Sequence, residues 1–288
     1  MLQLRIQTVA ESAEHIEELL FNCGAVSIAY EDAADEPILE PEFGTHPLWS
    51  TLFMQANFTS AEKVQIASKA LQNNQLVKQH IVLRQVDDHD WQGEFQQQFS
   101  PMKFGDLWIF PSWEDNPDPQ GLSLQLDPGL AFGTGHHATT SLCLQWLSTA
   151  PLNGQQVVDF GCGSGILSLA AYQLGARHVY AIDIDPQALM ATEQNIIRNQ
   201  LPLDCFTIGN RDCLAQGHVD IIVANILAAP LLDFCDFFYQ LLAPQGTLVV
   251  SGILDSQIKT ITRRYASCFN DAQITRQDEW ACISFQRN

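Results

Sequence analysis

The chain has 288 residues, 46% of them apolar, and a formal net charge of −19. That apolar content supports a sizeable core and argues against a largely disordered chain. The acidic balance repels phosphate backbones and disfavours tight nucleic-acid binding without a basic patch, and we find none in the sequence. No apolar run reaches the length of a membrane span, and the N-terminus MLQLRIQTVAESAEHIEELL turns acidic at once instead of building a secretory signal. The eight cysteines, at 23, 143, 162, 205, 213, 235, 268 and 282, form no C-x-x-C pair. Most lie in apolar strings, where a thiol acts as a small buried hydrophobe. We expect them to be reduced, in a cytoplasmic protein without a structural metal.

In chain order, LQLRIQTV (Leu2 to Val9) alternates like a half-buried strand, and Ile16, Leu19 and Leu20 set a helical spacing that Gly24 stops. AVSIAYED and TLFMQANFT read as strands flanking an acidic loop, Glu31 to Pro47. Ser60 to Gln72 repeats the helical spacing, and a strand from His80 to Val86 follows. The order β-α-β-β-α-β predicts a ferredoxin-like α+β domain over residues 1–88. Residues 1–100 hold 5 Lys/Arg against 15 Asp/Glu. With no glycine loop or catalytic cluster, this acidic module is expected to dock a partner rather than perform chemistry.

Residues 89–121 read as a linker with some packing of its own. A short helix, Asp90 to Phe99, carries Trp91, Phe95 and Phe99 on one face, and a Pro- and Trp-rich stretch ends in NPDPQG. From Leu122 strands and helices alternate, which predicts a doubly wound, Rossmann-like α/β domain over 122–288. Its strands are LSLQLDP, VVDF, HVYAIDID, DCFTIG, VDIIVANIL, TLVVSGIL and ACISFQ. Helices start near Thr139, Ile166, Pro186, Pro230 and Asp255.

Three stretches can carry chemistry. In VVDFGCGSG (Val157 to Gly165) a buried strand runs into glycines at every second position, so a ligand can lie against bare backbone at Gly161 and Gly163. Asp183 ends the next apolar strand, where two carboxylate oxygens can accept both hydroxyl protons of a ribose. NAD and S-adenosylmethionine both fit that much. The G-x-G-x-G spacing and Asp159, placed just before the glycines, favour S-adenosylmethionine, because a carboxylate repels a pyrophosphate but pairs with an ammonium. An alternative use for Asp159 is to cap the turn. Cys162 reads as a small side chain in a crowded turn rather than a nucleophile.

The second stretch is LDPGLAFGTGHHATT, Leu126 to Thr140. Its glycines expose backbone, and Phe132 can cover an apolar or cationic group of the ligand. His136 and His137 are adjacent and point apart, so they do not chelate one metal. Thr139 and Thr140 either cap the next helix or meet the ligand. The third is VANIL, in which Asn225 ends a strand at the ligand-binding edge of the sheet and can accept from an amine or donate to a carbonyl. A turn-forming role is its alternative.

With LDPGLAFGTG-x-H-x-TT, VVDFGCGSGILSLAA, AIDIDPQAL and VANIL in view, the whole chain resembles the PrmA family, the bacterial methyltransferases of large-subunit ribosomal protein L-eleven. The resemblance implies a class I S-adenosylmethionine-dependent methyltransferase domain preceded by a substrate-recognition domain. It implies methylation of lysine ε-amines and the N-terminal α-amine of that ribosomal protein; we expect a monomer and, from charge and hydropathy, no direct binding to nucleic acid or membrane. Carried over by position, cofactor contacts fall on Thr140, Gly161, Asp183 and Asn225. Asn225 stands where amine methyltransferases place the Asn of N-P-P-Y and is the expected catalytic residue. We add Asp159, Gly163 and Phe132 to the cofactor site, and Ala131, Phe132 and Leu227 to the walls around the amine. His136 and Ala138 depart from the family's usual GTGTHPTT, and loss of the proline predicts a less rigid loop. The readings weighed against this one are an NAD-dependent dehydrogenase, a nucleic-acid amine methyltransferase and a non-catalytic S-adenosylmethionine-binding module.

Overall fold

The computed structural model describes residues 2–34, 48–72, 79–85, 99–127, 135–214 and 218–288. The chain divides into two compact units, Met1–Phe95 and Gln96–Asn288.

The first unit runs β1 (Leu2–Val9), α1 (Ala10–Asn22), β2 (Ser27–Asp32), β3 (Thr51–Phe58), α2 (Ala61–Gln72) and β4 (Gln79–Gln85). Its sheet order is β2-β3-β1-β4 with every neighbouring pair antiparallel. Strict alternation along β3 turns Leu52, Met54, Ala56 and Phe58 inward, where they pack with Leu4 and Ile6 of β1. Ile16 and Leu20 of α1 and Val64, Ala67 and Leu71 of α2 complete that core. On the sheet's other face side-chain hydrogen bonds join Gln3 to Gln55 and Asn57, and Glu31 to Arg5 and Gln55. Arg5 pairs with Glu31 at 2.8 Å and lies over the Phe53 ring, 3.6 Å from its centroid.

The second unit opens with a small sheet, β5 (Met102–Phe104), β6 (Leu107–Phe110) and β7 (Leu122–Gln125), so two strands lie within the stretch read as a linker. Leu107, Ile109 and Leu124 belong to the same core as the helices that follow. Those helices are α3 (Ala138–Thr149), α4 (Ile166–Gln173), α5 (Pro186–Arg198), α6 (Ala228–Leu241) and α7 (Ile258–Tyr265). They cover a sheet of β8 (Gln156–Phe160), β9 (His178–Ile182), β10 (Phe206–Gly209), β11 (Val219–Asn225), β12 (Leu242–Leu254), β13 (Phe269–Gln277) and β14 (Trp280–Arg287).

The order in that sheet is β10-β9-β8-β11-β12-β14-β13. The strands β10, β9, β8, β11 and β12 are parallel, and β14 is antiparallel to both its neighbours. Successive residues supply opposite layers: Val157, Ile221 and Val223 pack with α3 and α4, whereas Val158, Ile222 and Ala224 pack with α6 and α7. Burial on both faces is why these strands read as unbroken apolar runs. The exposed outer strand β13 has no such run and was not predicted. Chain order reverses at β8, with β9 on one side and β11 on the other, and open α/β sheets bind ligands at the carboxyl ends of strands at such a point.

Candidate active site at the β8–β11 switch point

Each chemistry-bearing stretch but one ends a strand on this edge. Beyond β8 the chain turns through Gly161, whose φ of +84° lies in the left-handed region. Gly161 and Cys162 donate their N–H groups to the Ile182 carbonyl at 2.7 and 3.0 Å, which ties the turn to the end of β9. Asp183, next after β9, accepts from Gly163 N at 3.0 Å through one carboxylate oxygen and from Asp185 N at 3.0 Å through the other. Both oxygens are thereby held in place, and each retains a lone pair for a ligand. Asp185 caps α5 by accepting from Gln187 N at 2.9 Å, with Pro186 at the first helical position.

A cavity of about 610 Å³ opens here, of the size that holds a nucleoside-bearing ligand. Gly161, Gly163, Asp183 and Asn225, all expected at the site, line it. Ile226 of VANIL lines it too, as do Asn210, Arg211, Asp212 and Phe234, which were not singled out in the sequence. The readable signal for Asn210 and Asp212 was their position just after β10, at the same carboxyl edge. Asn210 accepts from Asp212 N at 3.0 Å and starts a short 3-10 turn, Arg211–Cys213. Ile184, 96% exposed, is a large apolar side chain at the cavity rim.

Asn225 Nδ2 donates to Thr140 Oγ1 at 3.2 Å, joining two predicted positions that lie 85 residues apart. Asn225 Oδ1 is buried and has no partner among the described residues. Thr140 itself is buried and does not line the cavity. The helix cap considered for Thr139 and Thr140 is supplied instead by His137, whose Nδ1 accepts from Thr139 N at 3.4 Å. Burial lowers the His137 pKa, opposed by the Glu279 charge, and the neutral ring is the form that can accept at Nδ1.

Asp159 is 1% exposed and does not line the cavity. Strand alternation explains this. Asp159 shares the side of Val157 and faces α4, where Ser168 Oγ donates to its Oδ2 at 2.6 Å. Its Oδ1 is buried without a partner among the described residues. Burial, opposed by the Ser168 hydrogen bonds and reinforced by the Asp183 charge, lifts the carboxyl to about 7. The Cys162 thiol is pushed far up, first by burial and then by Asp159, which suits a packed side chain and not a thiolate. Phe132 and Ala131, and the Trp91–Phe95 part of the aromatic stripe, lie outside the described residues.

The model of one family, ribosomal protein L11 methyltransferase (PrmA), matches residues 1–288. The chain belongs to the ribosomal protein L11 methyltransferase family. A relative of that name from Legionella pneumophila (strain Lens) is 44% identical over 98% of both chains. Those from Pseudomonas aeruginosa (strain LESB58) and Hahella chejuensis are 43% and 40% identical, each over 99% of this chain and 98% of its own. Among solved structures, a ribosomal protein L11 methylase from Lactobacillus delbrueckii subsp. bulgaricus is 33% identical. It superposes with a TM-score of 0.59 over 66% of this chain and 99% of its own. Membership in the methyltransferase family makes S-adenosylmethionine the methyl donor, and the cavity's donor set fits it. The carboxylate of Asp183 stands beside the bare backbone of Gly161 and Gly163, placed to accept the hydroxyls of a ribose.

Proposed function

We propose that this protein methylates ribosomal protein L11, at lysine ε-amines and the N-terminal α-amine. The observation that carries this reading is the Asn225–Thr140 hydrogen bond at the glycine-turn cavity, in a chain of this family. S-Adenosylmethionine, when bound, supplies an electrophilic methyl group on a sulfonium. The protein's part is to hold and align the two reactants.

The tethered carboxylate of Asp183 accepts the ribose hydroxyls, and the Gly161–Gly163 backbone lies against the donor. Phe132 covers the donor. Asn225 accepts from the incoming amine through Oδ1, with Thr140 fixing its amide by engaging Nδ2. A lysine amine must be neutral to attack, and its ordinary pKa of about 10.4 leaves it protonated in water. The apolar walls Phe160, Pro230 and Phe234 desolvate the amine and favour the neutral form. The proton leaves to water.

The acidic Met1–Phe95 unit draws in a basic protein substrate, and the net charge of −19 works against an RNA substrate. The enzyme acts as a monomer in the cytoplasm, apart from membranes; among the described residues no helix is long and apolar enough to cross one. The test incubates the protein with methyl-labelled S-adenosylmethionine and ribosomes from a strain lacking the gene. Label on one small basic ribosomal protein supports the reading. Label confined to RNA, or no label, overturns it.

A further inference from the structure

Ile226 follows Asn225 and offers no hydrogen-bonding side chain, yet two glycines distant in sequence make room for it. A Cβ on Gly161 would stand 2.4 Å from Ile226 Cγ2. A Cβ on Gly252 would stand 2.4 Å from the Ile226 carbonyl oxygen and 2.8 Å from its carbonyl carbon. The side chain of Ile226 therefore rests on the bare backbone of the donor turn, and its main chain rests on the bare backbone of β12.

Gly252 sits in a bulge. Between paired positions β12 advances from Val250 to Ile253 while β14 advances only from Ile283 to Ala281, and Gly252 takes a φ of +80°. Bulges bend a strand and re-aim what lies beside it. The other bulge residue, Ser251, is the register partner of Asn225 across β11 and β12. Its Oγ lies 3.2 Å from the Thr139 carbonyl and 3.2 Å from the Ala281 carbonyl. One bulge thus meets both sides of the Asn225–Thr140 bond: the first turn of α3 through Ser251, and the Asn225–Ile226 segment through Gly252.

We infer that Ile226 is a positioning residue that acts through Asn225, a spacer held between Gly161 and the Ser251–Gly252 bulge that sets the distance from the methyl-donor turn to the Asn225 amide. The inference rests on the proposed role of Asn225. The feature that matters is the branch at Cβ. A β-branched side chain has one stiff χ1, so its γ-methyl is a fixed stop against Gly161, whereas leucine has the same volume without that stop.

The test compares Ile226→Val, Ile226→Leu and Ile226→Ala in the full chain, with Asn225→Ala beside them. Donor Kd is read by calorimetry, and kcat at saturating donor and protein substrate. Valine keeps both γ-carbons and is expected to hold kcat within about twofold, while leucine and alanine lose about tenfold or more, the scale of a small misplacement of reacting groups. Donor Kd stays within about threefold throughout, because a positioning effect falls on kcat. A leucine variant as fast as valine makes Ile226 mere packing and overturns the inference. So does a valine variant as slow as leucine, or a loss of donor affinity that matches the loss of kcat. If Asn225→Ala slows turnover and Ile226→Leu does not, only the spacer falls. If Asn225→Ala leaves kcat intact, the proposed role of Asn225 falls with it. Should the leucine variant not fold, the valine–alanine pair carries the comparison.

Discussion

Replacing Asp159 with asparagine should make the protein more stable at alkaline pH. The carboxyl is 1% exposed, keeps one oxygen unpartnered, and is lifted to about 7 from an ordinary 3.8. For an acid whose folded pKa is raised, the unfolded chain loses its proton first as pH rises. Stability contributed by this group is therefore intact below about pH 4, falls between about 4 and 7, and reaches its full deficit above about 7. At about 1.4 kcal/mol per tenfold change in proton affinity, the full deficit is ~4 kcal/mol. About 2 kcal/mol of it develops between pH 5.5 and 8.5.

Asparagine keeps the shape and can still accept from Ser168, but it does not titrate. Costs of the amide that do not vary with pH cancel when the two proteins are compared across pH. Urea unfolding of wild type and Asp159→Asn at pH 5.5 and 8.5 should show the variant gaining ~2 kcal/mol on the wild type over that interval. A stability difference that is the same at both pH values would refute the buried, proton-holding carboxyl.

Asp183→Ala removes the acceptor for Gly163 N and Asp185 N as well as for the ribose. Donor Kd by calorimetry should rise about 10- to 100-fold, and an unchanged value would remove the ribose assignment. Removing residues 1–95, at the boundary between the compact units, should abolish L11 methylation while donor binding persists. Loss of both would mean that the units fold as one. Tyr265 is fully buried and donates to the Leu231 carbonyl at 2.7 Å, so Tyr265→Phe should cost about 1–3 kcal/mol in urea unfolding, with donor Kd untouched.

The fold was legible where periodicity and turn chemistry agree. Alternation along β3, the apolar runs of β8 and β11, and Pro186 behind a capping Asp185 each mark their element from a few local residues. Strands with weaker local signals were lost. Leu107–Phe110 lies among prolines and tryptophans, and Phe269–Gln277 is mostly polar because it runs along an exposed edge. At the site, Gly161, Gly163, Asp183 and Asn225 could be read because each ends a strand at the ligand edge. Thr140 meeting Asn225 depends on a contact across 85 residues that no local pattern encodes. The direction of Asp159 was available from the two-residue period, which places it with Val157 toward α4 rather than with the cavity wall. His137 as the cap of α3 was not legible, since imidazole is an uncommon cap and two threonines stood beside it.

The position of β8 and β11 in the middle of the seven-stranded sheet has a kinetic consequence. Both strands are hydrogen-bonded on each side and covered by helices on each face, so their amides exchange with solvent only when the Gln96–Asn288 unit opens as a whole. Gly161 and Asn225 are mounted at the ends of these two central strands. Release of spent donor after each methylation must then proceed by motion of loops above a floor that stays closed. Turnover and unfolding draw on different parts of the molecule, so a destabilised core should shorten the enzyme's lifetime long before it changes the time taken by one catalytic cycle.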